Sequence, residues 1–349
     1  MLVHEIMEVA LEQGASDIHL AVNSPPVLRV DGEMVRLDED PMSPAETEAA
    51  VKAVAPDEHI NRLEEVGGSD FGYAHESGNR MRVAIFRQQK HVGMVMRIIP
   101  DKIFTFDELG LPSSLKEICA KPRGIVLVTG PTGSGKTTTL AAFIDYVNRN
   151  FSHHIITIED PIEFTHPHRK SVITQRELGV DVLSFSDGIR SALRMDPAVM
   201  LVGEMRDQET IGAAITAAET GHLVFATLHT NSAAQTVNRI IDTFPQEEQS
   251  QVRSQLSITL AAVISQTLMP KQRGTGRIAA FEIMVSTPGI ANLIRETKEQ
   301  NIPSAIQTGG NLGMQTLDQH LAKLYQRGLI SYDQTIANAQ NPEELKQKL

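Results

Sequence analysis

Residues Gly130-Pro131-Thr132-Gly133-Ser134-Gly135-Lys136-Thr137 fill every fixed position of the pattern G-x-x-x-x-G-K-[ST]. Such a loop needs an apolar strand before it and a helix after it. Residues 125–128 form a short β-branched run, and residues 136–148 have helical spacing. Glycines let the backbone wrap closely and turn N–H groups toward phosphate oxygens, and the helix N-terminus adds partial positive charge. In a loop of this kind Lys136 reaches the β- and γ-phosphates of a nucleoside triphosphate, and the Thr137 hydroxyl ligates Mg²⁺. Gly130 to Thr137, with the adjoining Thr138, are the expected nucleotide-binding residues, and ATP and Mg²⁺ the expected cofactors.

From Gly124 onward, β-branched runs at 125–128, 155–158, 199–202 and 223–228 alternate with helical segments at 136–148, 185–194 and 208–219. That alternation predicts an α/β fold with a mostly parallel sheet covered by helices. After residue 245 the chain reads as mainly helical, apart from an extended run near 277–285. The most apolar segment, 256–269, contains Ser, Thr and Gln and reads as a buried helix. Upstream, residues 3–13 have helical spacing and 16–20 begin a strand. Residues 80–86 and 92–99 read as strands around a polar hairpin turn. The expected division is a smaller N-terminal domain over 1–100, a linker over 101–111, and the nucleotide-binding domain with a helical C-terminal region over 112–349.

In open α/β sheets, ligands lie beyond the carboxyl ends of the strands. The run 155–158 exits into Glu159 and, further on, Glu163; the run 199–202 exits into Gly203 and Glu204; the run 223–228 exits into His229. Glu204 is the expected acid serving Mg²⁺ or the attacking water. Glu163 and Glu159 can orient that water or take its proton, and the same acids can instead cap helices or pair with arginines. His222 and His229 stand seven residues apart, so an extended strand separates them by roughly 20 Å. His229 lies at the ligand edge and is the expected γ-phosphate contact. His222 lies at the far edge, where a structural role competes with a functional one.

The formal net charge of −11 disfavours a general nucleic-acid binder, because phosphate backbones attract basic surfaces. Cys119 is the only cysteine, which excludes an intrachain disulfide and a thiolate-rich zinc site. No stretch reaches about 18 uninterrupted apolar residues, so no transmembrane segment is expected.

Taken together, these segments resemble the bacterial secretion ATPase superfamily, and within it the type IV pilus retraction ATPases. The family's Walker A loop matches Gly130–Thr137, and its acidic "Asp box" matches 158–163. Its Walker B segment matches Leu201-Val202-Gly203-Glu204-Met205-Arg206-Asp207. Its "His box" runs from Ala218-Glu219-Thr220-Gly221-His222 to Thr227-Leu228-His229-Thr230. Retraction ATPases carry a C-terminal motif, A-I-R-N-L-I-R-E, which here reads Gly289-Ile290-Ala291-Asn292-Leu293-Ile294-Arg295-Glu296. Ala291 replaces the motif's first arginine. Met195 and Ala198 replace acidic residues usual before Walker B. Leu293 and Ile294 share an inward helical face with Ile290, while Arg295 and Glu296 remain available to neighbours.

The resemblance implies a RecA-like P-loop ATPase domain behind a PAS-like N-terminal α/β domain, in a homohexameric ring with ATP between subunits. It implies that arginines of the N-terminal domain reach a neighbouring site. Arg82 and Arg97 are the candidates, followed by Arg80, with pairing to strand-edge acids the alternative. It further implies an ATP-hydrolysing motor for pilus retraction and twitching motility, cytoplasmic and peripheral at the inner face of the cytoplasmic membrane. The expected partners are an inner-membrane pilus platform protein and a second retraction ATPase. Competing readings are an accessory retraction ATPase, a pilus-assembly or type II secretion ATPase, a non-catalytic nucleotide-binding regulator, and a DNA translocase. The assembly ATPases typically carry a four-cysteine zinc site, which one cysteine cannot build.

Overall fold

Strand alternation after Gly124 sorts apolar side chains onto two faces. Ile125 and Leu127, Ile156 and Ile158, Met200 and Val202, and Val224 and Ala226 belong to one buried cluster. Their neighbours Val126, Val128, Ile155, Val199, Leu201 and Phe225 belong to another. A sheet buried on both faces is the setting of parallel strands. The computed structural model, which describes residues 2–30, 33–99, 102–273 and 276–349, bears this out. Seven strands pair here: β7 (Gly124–Thr129), β8 (His154–Glu159), β9 (Val172–Glu177), β10 (Val199–Val202), β11 (Leu223–Leu228), β12 (Leu260–Pro270) and β13 (Arg277–Val285). Their order is β13-β12-β7-β11-β10-β8-β9. All neighbours run parallel except β12 and β13.

The buried helix expected over 256–269 is corrected. The helix Gln246–Thr259 stops where that segment has barely begun, and the chain continues as β12 between β7 and β13. A continuous apolar run has no period that separates a buried helix from a central strand. The β-branched Val263, Ile264 and Thr267 suit the strand. A register shift between Leu260 and Ala262 marks a bulge, and Ala261 and Ala262 accordingly join the same apolar cluster. The edge strand β9 was not anticipated either. It is short, and its residues from Thr174 onward are polar or charged.

The chain folds as two units, each with its own core. One is Met1–Lys102 with Pro161–Thr165; the other is Ile103–Asp160 with His166–Leu349. The expected boundary at residues 100 and 101 lies outside the described residues. The first unit holds a six-stranded antiparallel sheet ordered β3-β2-β1-β6-β5-β4. Its strands are β1 (Asp17–Leu20), β2 (Val27–Val30), β3 (Glu33–Arg36), β4 (Gly68–Ala74), β5 (Arg80–Gln88) and β6 (His91–Ile99). Gln89 and Lys90, both at positive φ, close the β5–β6 hairpin as a two-residue primed turn. Helices Val3–Glu12 and Pro44–Val54 bury Ile6, Met7, Ala50 and Val51 in the core of this unit.

Candidate functional site

The register of β7, β8, β10 and β11 brings their carboxyl ends to one edge. Val202 sits beside Ile158 and Ala226, and Leu228 beside Thr129. The phosphate loop leaves β7 at this edge, Glu204 follows β10 across Gly203, Glu159 ends β8, and His229 follows β11. Backbone bonds fix these exits: Gly203 N–H donates to Ile158 O at 2.7 Å, and Met205 N–H to Thr227 O at 3.1 Å. The Thr227 hydroxyl donates to Gly203 O at 2.5 Å.

The loop has the form a phosphate cradle requires. Gly130 has φ 141°, and a Cβ built there would lie 2.2 Å from the Gln266 carbonyl oxygen, so no other residue fits. Pro131, Thr132 and Gly133 are exposed, and Gly135, Lys136, Thr137 and Thr138 are half-buried at the start of the helix Lys136–Asn150. Lys136 Nζ donates to Gly130 O at 2.9 Å and to Pro131 O at 3.1 Å, so the ammonium already lies across the loop. Burial lowers its pKa, and the Glu204 charge partly offsets that effect. The buried Ser134 hydroxyl has no hydrogen-bond partner among the described residues. An orphaned hydroxyl and a glycine-lined turn both fit a polyanion bound here.

Glu204 Oε1 lies 2.6 Å from Arg206 Nε and 2.7 Å from His229 Nε2. Neither contact has the alignment of a hydrogen bond; the one with Arg206 is an ion pair by distance. Burial pushes the Glu204 pKa up, and Arg206 and His229 outweigh it and hold the carboxylate below its ordinary range. Glu204 is therefore an anion at neutral pH beside the loop lysine. Glu159 is buried, and its Oε1 accepts from the Thr157 hydroxyl at 2.7 Å and from Gln175 Nε2 at 3.2 Å. His222 lies at the opposite end of β11, where its Nδ1 is 2.8 Å from Ala217 O at the C-terminal turn of the helix Gln208–Glu219.

Glu163, Arg82 and Arg97 belong to the first unit. Glu163 is half-buried. Arg82 and Arg97 are exposed and face each other in register across β5 and β6. Arg97 Nε donates to Asp17 Oδ1 at 2.9 Å, the strand-edge pairing that was the alternative for it. In the C-terminal motif, Ile290 and Ile294 are fully buried, Leu293 is half-buried and lines a groove of about 430 Å³, and Arg295 and Glu296 are exposed. Glu296 pairs with Lys298 at 2.8 Å. Sequence reasoning missed Gln266, whose buried amide bridges the phosphate loop and the helix behind it. The glutamine was visible in the apolar run, but a buried-helix reading of 256–269 gave it no place in the sheet beside the loop. Among the described residues no group of three or more His, Cys, Asp or Glu is arranged around a metal. Mg²⁺ in nucleotide sites is held by one or two protein groups plus phosphates and water. Thr137 and Glu204 are groups of that kind.

Residues 1–335 match the family described as Type II/IV secretion system protein. The type IV pilus retractation ATPase PilT of Pseudomonas aeruginosa is 51% identical over 98% of this chain and 99% of its own length. The type IV pilus ATPase PilU of the same organism is 39% identical, over 99% of this chain and 91% of its own. A crystal structure of the pilus retraction motor PilT with bound ADP superposes with a TM-score of 0.92 at 46% identity, covering 99% of both chains.

Proposed function

The chain belongs to the Type II/IV secretion system protein family, and from that premise we propose that it is an ATP-hydrolysing motor that powers type IV pilus retraction. The observation that carries the hydrolytic part is the meeting of the Lys136 loop and the ionised Glu204 at one sheet edge. The direction of the motor rests on full-length similarity to the retraction ATPase, 51% identical over 98% of this chain.

In this reading, the loop from Gly130 to Thr138 takes the phosphates on its amides and on Lys136. Thr137 and Glu204 are the residues that would hold Mg²⁺, which when bound would supply positive charge beside the phosphate oxygens. Glu204 keeps the ammonium of Lys136 and the imidazole of His229 in one charged cluster, so loss of the γ-phosphate changes the field all three share. Glu159, at the end of β8, orients the attacking water. Arg82 is the arginine offered to a neighbouring subunit; Arg97 must first leave Asp17. We place the protein in a homohexamer in the cytoplasm, at the inner face of the membrane, working on a pilus platform protein. In support, no described helix is long and apolar enough to cross a membrane.

A deletion strain tests the direction. Hyperpiliated cells without twitching are expected, and bald cells would make the protein an assembly motor. Purified protein should release inorganic phosphate in a Mg²⁺-dependent manner.

A further inference from the structure

Gln266 lies in the middle of β12, 4% exposed, with both ends of its amide engaged. Its Nε2 donates to the Ser134 carbonyl, and its Oε1 accepts from the Thr139 hydroxyl at 2.9 Å. The side chain thus ties the end of the phosphate loop to the first turn of the helix that follows. The Ser134 carbonyl can only accept, which fixes which end of the amide faces it.

Two glycines of the loop answer to this one residue. A Cβ at Gly130 would strike the Gln266 carbonyl oxygen at 2.2 Å, and one at Gly135 would sit 3.2 Å from Gln266 Nε2. Gly135 also has φ 88°. The peptide from Ser134 to Gly135 is planar and trans, so its carbonyl and N–H point in opposite directions. With the carbonyl drawn toward the Gln266 amide, the Gly135 N–H points away from it. That N–H is among the donors a helix start leaves unpaired.

We infer that Gln266 is the positioning residue of the phosphate site: it holds the 134–135 peptide so that its N–H serves the nucleotide. The inference rests on the reading of the loop as an ATP site. The geometry also explains why a polar residue interrupts an otherwise apolar central strand. A buried amide is tolerated where both its ends are satisfied, and here the partners are the loop and the helix that follows it.

The test uses the full-length protein, with Mg·ADP binding and ATP turnover as readouts. Gln266→Met keeps the volume and removes both bonds. Its affinity for Mg·ADP should fall about tenfold, and the KM for ATP should rise by more than kcat falls. Gln266→Glu adds a control against general misfolding. As a carboxylate it repels the Ser134 carbonyl; once protonated it can donate to it again. Its affinity relative to the parent should therefore recover as the pH is lowered from about 8 to about 5.5. Parent-like affinity in Gln266→Met, within about twofold, overturns the inference, as does a Gln266→Glu defect that does not change with pH. A parent chain that neither binds nor hydrolyses nucleotide overturns the ATP-site reading itself.

Discussion

At the scale of single residues, the site is a small set of opposed charges. Lys136 bridges two loop carbonyls, and Glu204 is held ionised by Arg206 and His229. Removing the ammonium leaves the loop amides to hold a triphosphate alone. Lys136→Ala should lower nucleotide affinity by at least about tenfold, the value of one charge-assisted contact; calorimetric titration with Mg·ADP checks this. Glu204→Gln keeps the size and loses the charge. It should retain nucleotide and lower turnover by about 10²-fold or more, measured as phosphate release under saturating ATP. The loop and Glu204 were legible in the sequence, because both lie just beyond the ends of apolar strands. Gln266 was not legible, because its role depends on a strand pairing of residues more than a hundred positions apart.

At the scale of elements, β12 and β13 join the nucleotide edge to the C-terminal helices. Helix Leu317–Gln326 packs on β13, and His320 Nδ1 accepts from the Phe281 N–H at 2.9 Å while its ring stacks on Phe281. Burial, together with the charges of Lys323 and Arg327, lowers the His320 pKa from 6.5 to about 4. The unfolded chain therefore takes up the proton first. Stability is complete above about pH 6.5 and is lost as the pH falls toward about 4, by about 3 kcal/mol for this one group. His166, lowered to about 4 mainly by burial, adds a loss of the same sign over the same interval. His320→Asn preserves an acceptor for the Phe281 N–H and cannot titrate. Its urea midpoint should change less between pH 7 and pH 5 than that of the parent, and an unchanged difference would remove His320 as a cause of the acid sensitivity.

At the scale of the whole molecule, two units carry separate cores, and the C-terminal motif lies in the larger one, away from the phosphate loop in sequence. Ile290 and Ile294 anchor the motif helix, while Leu293 is left half-buried at the rim of a groove with Ala305, Gly309 and Met314. Leu293→Ala should leave most of the ATPase rate in place and reduce retraction. Retraction force measured on single pili of variant and parent cells decides it, and equal forces would separate this helix from the output of the motor. The sequence by itself determined the phosphate loop, its strand and helix, and the order of the acidic and histidine exits, because these depend on local pattern and direct neighbours. Tertiary structure alone decided that 260–270 is a strand, that Gln266 holds the loop from behind, and that Arg97 is paired to Asp17. The physical reason is range: a fully apolar run carries no period to choose helix or strand, and a side chain's partner across a sheet is set by pairing between distant segments.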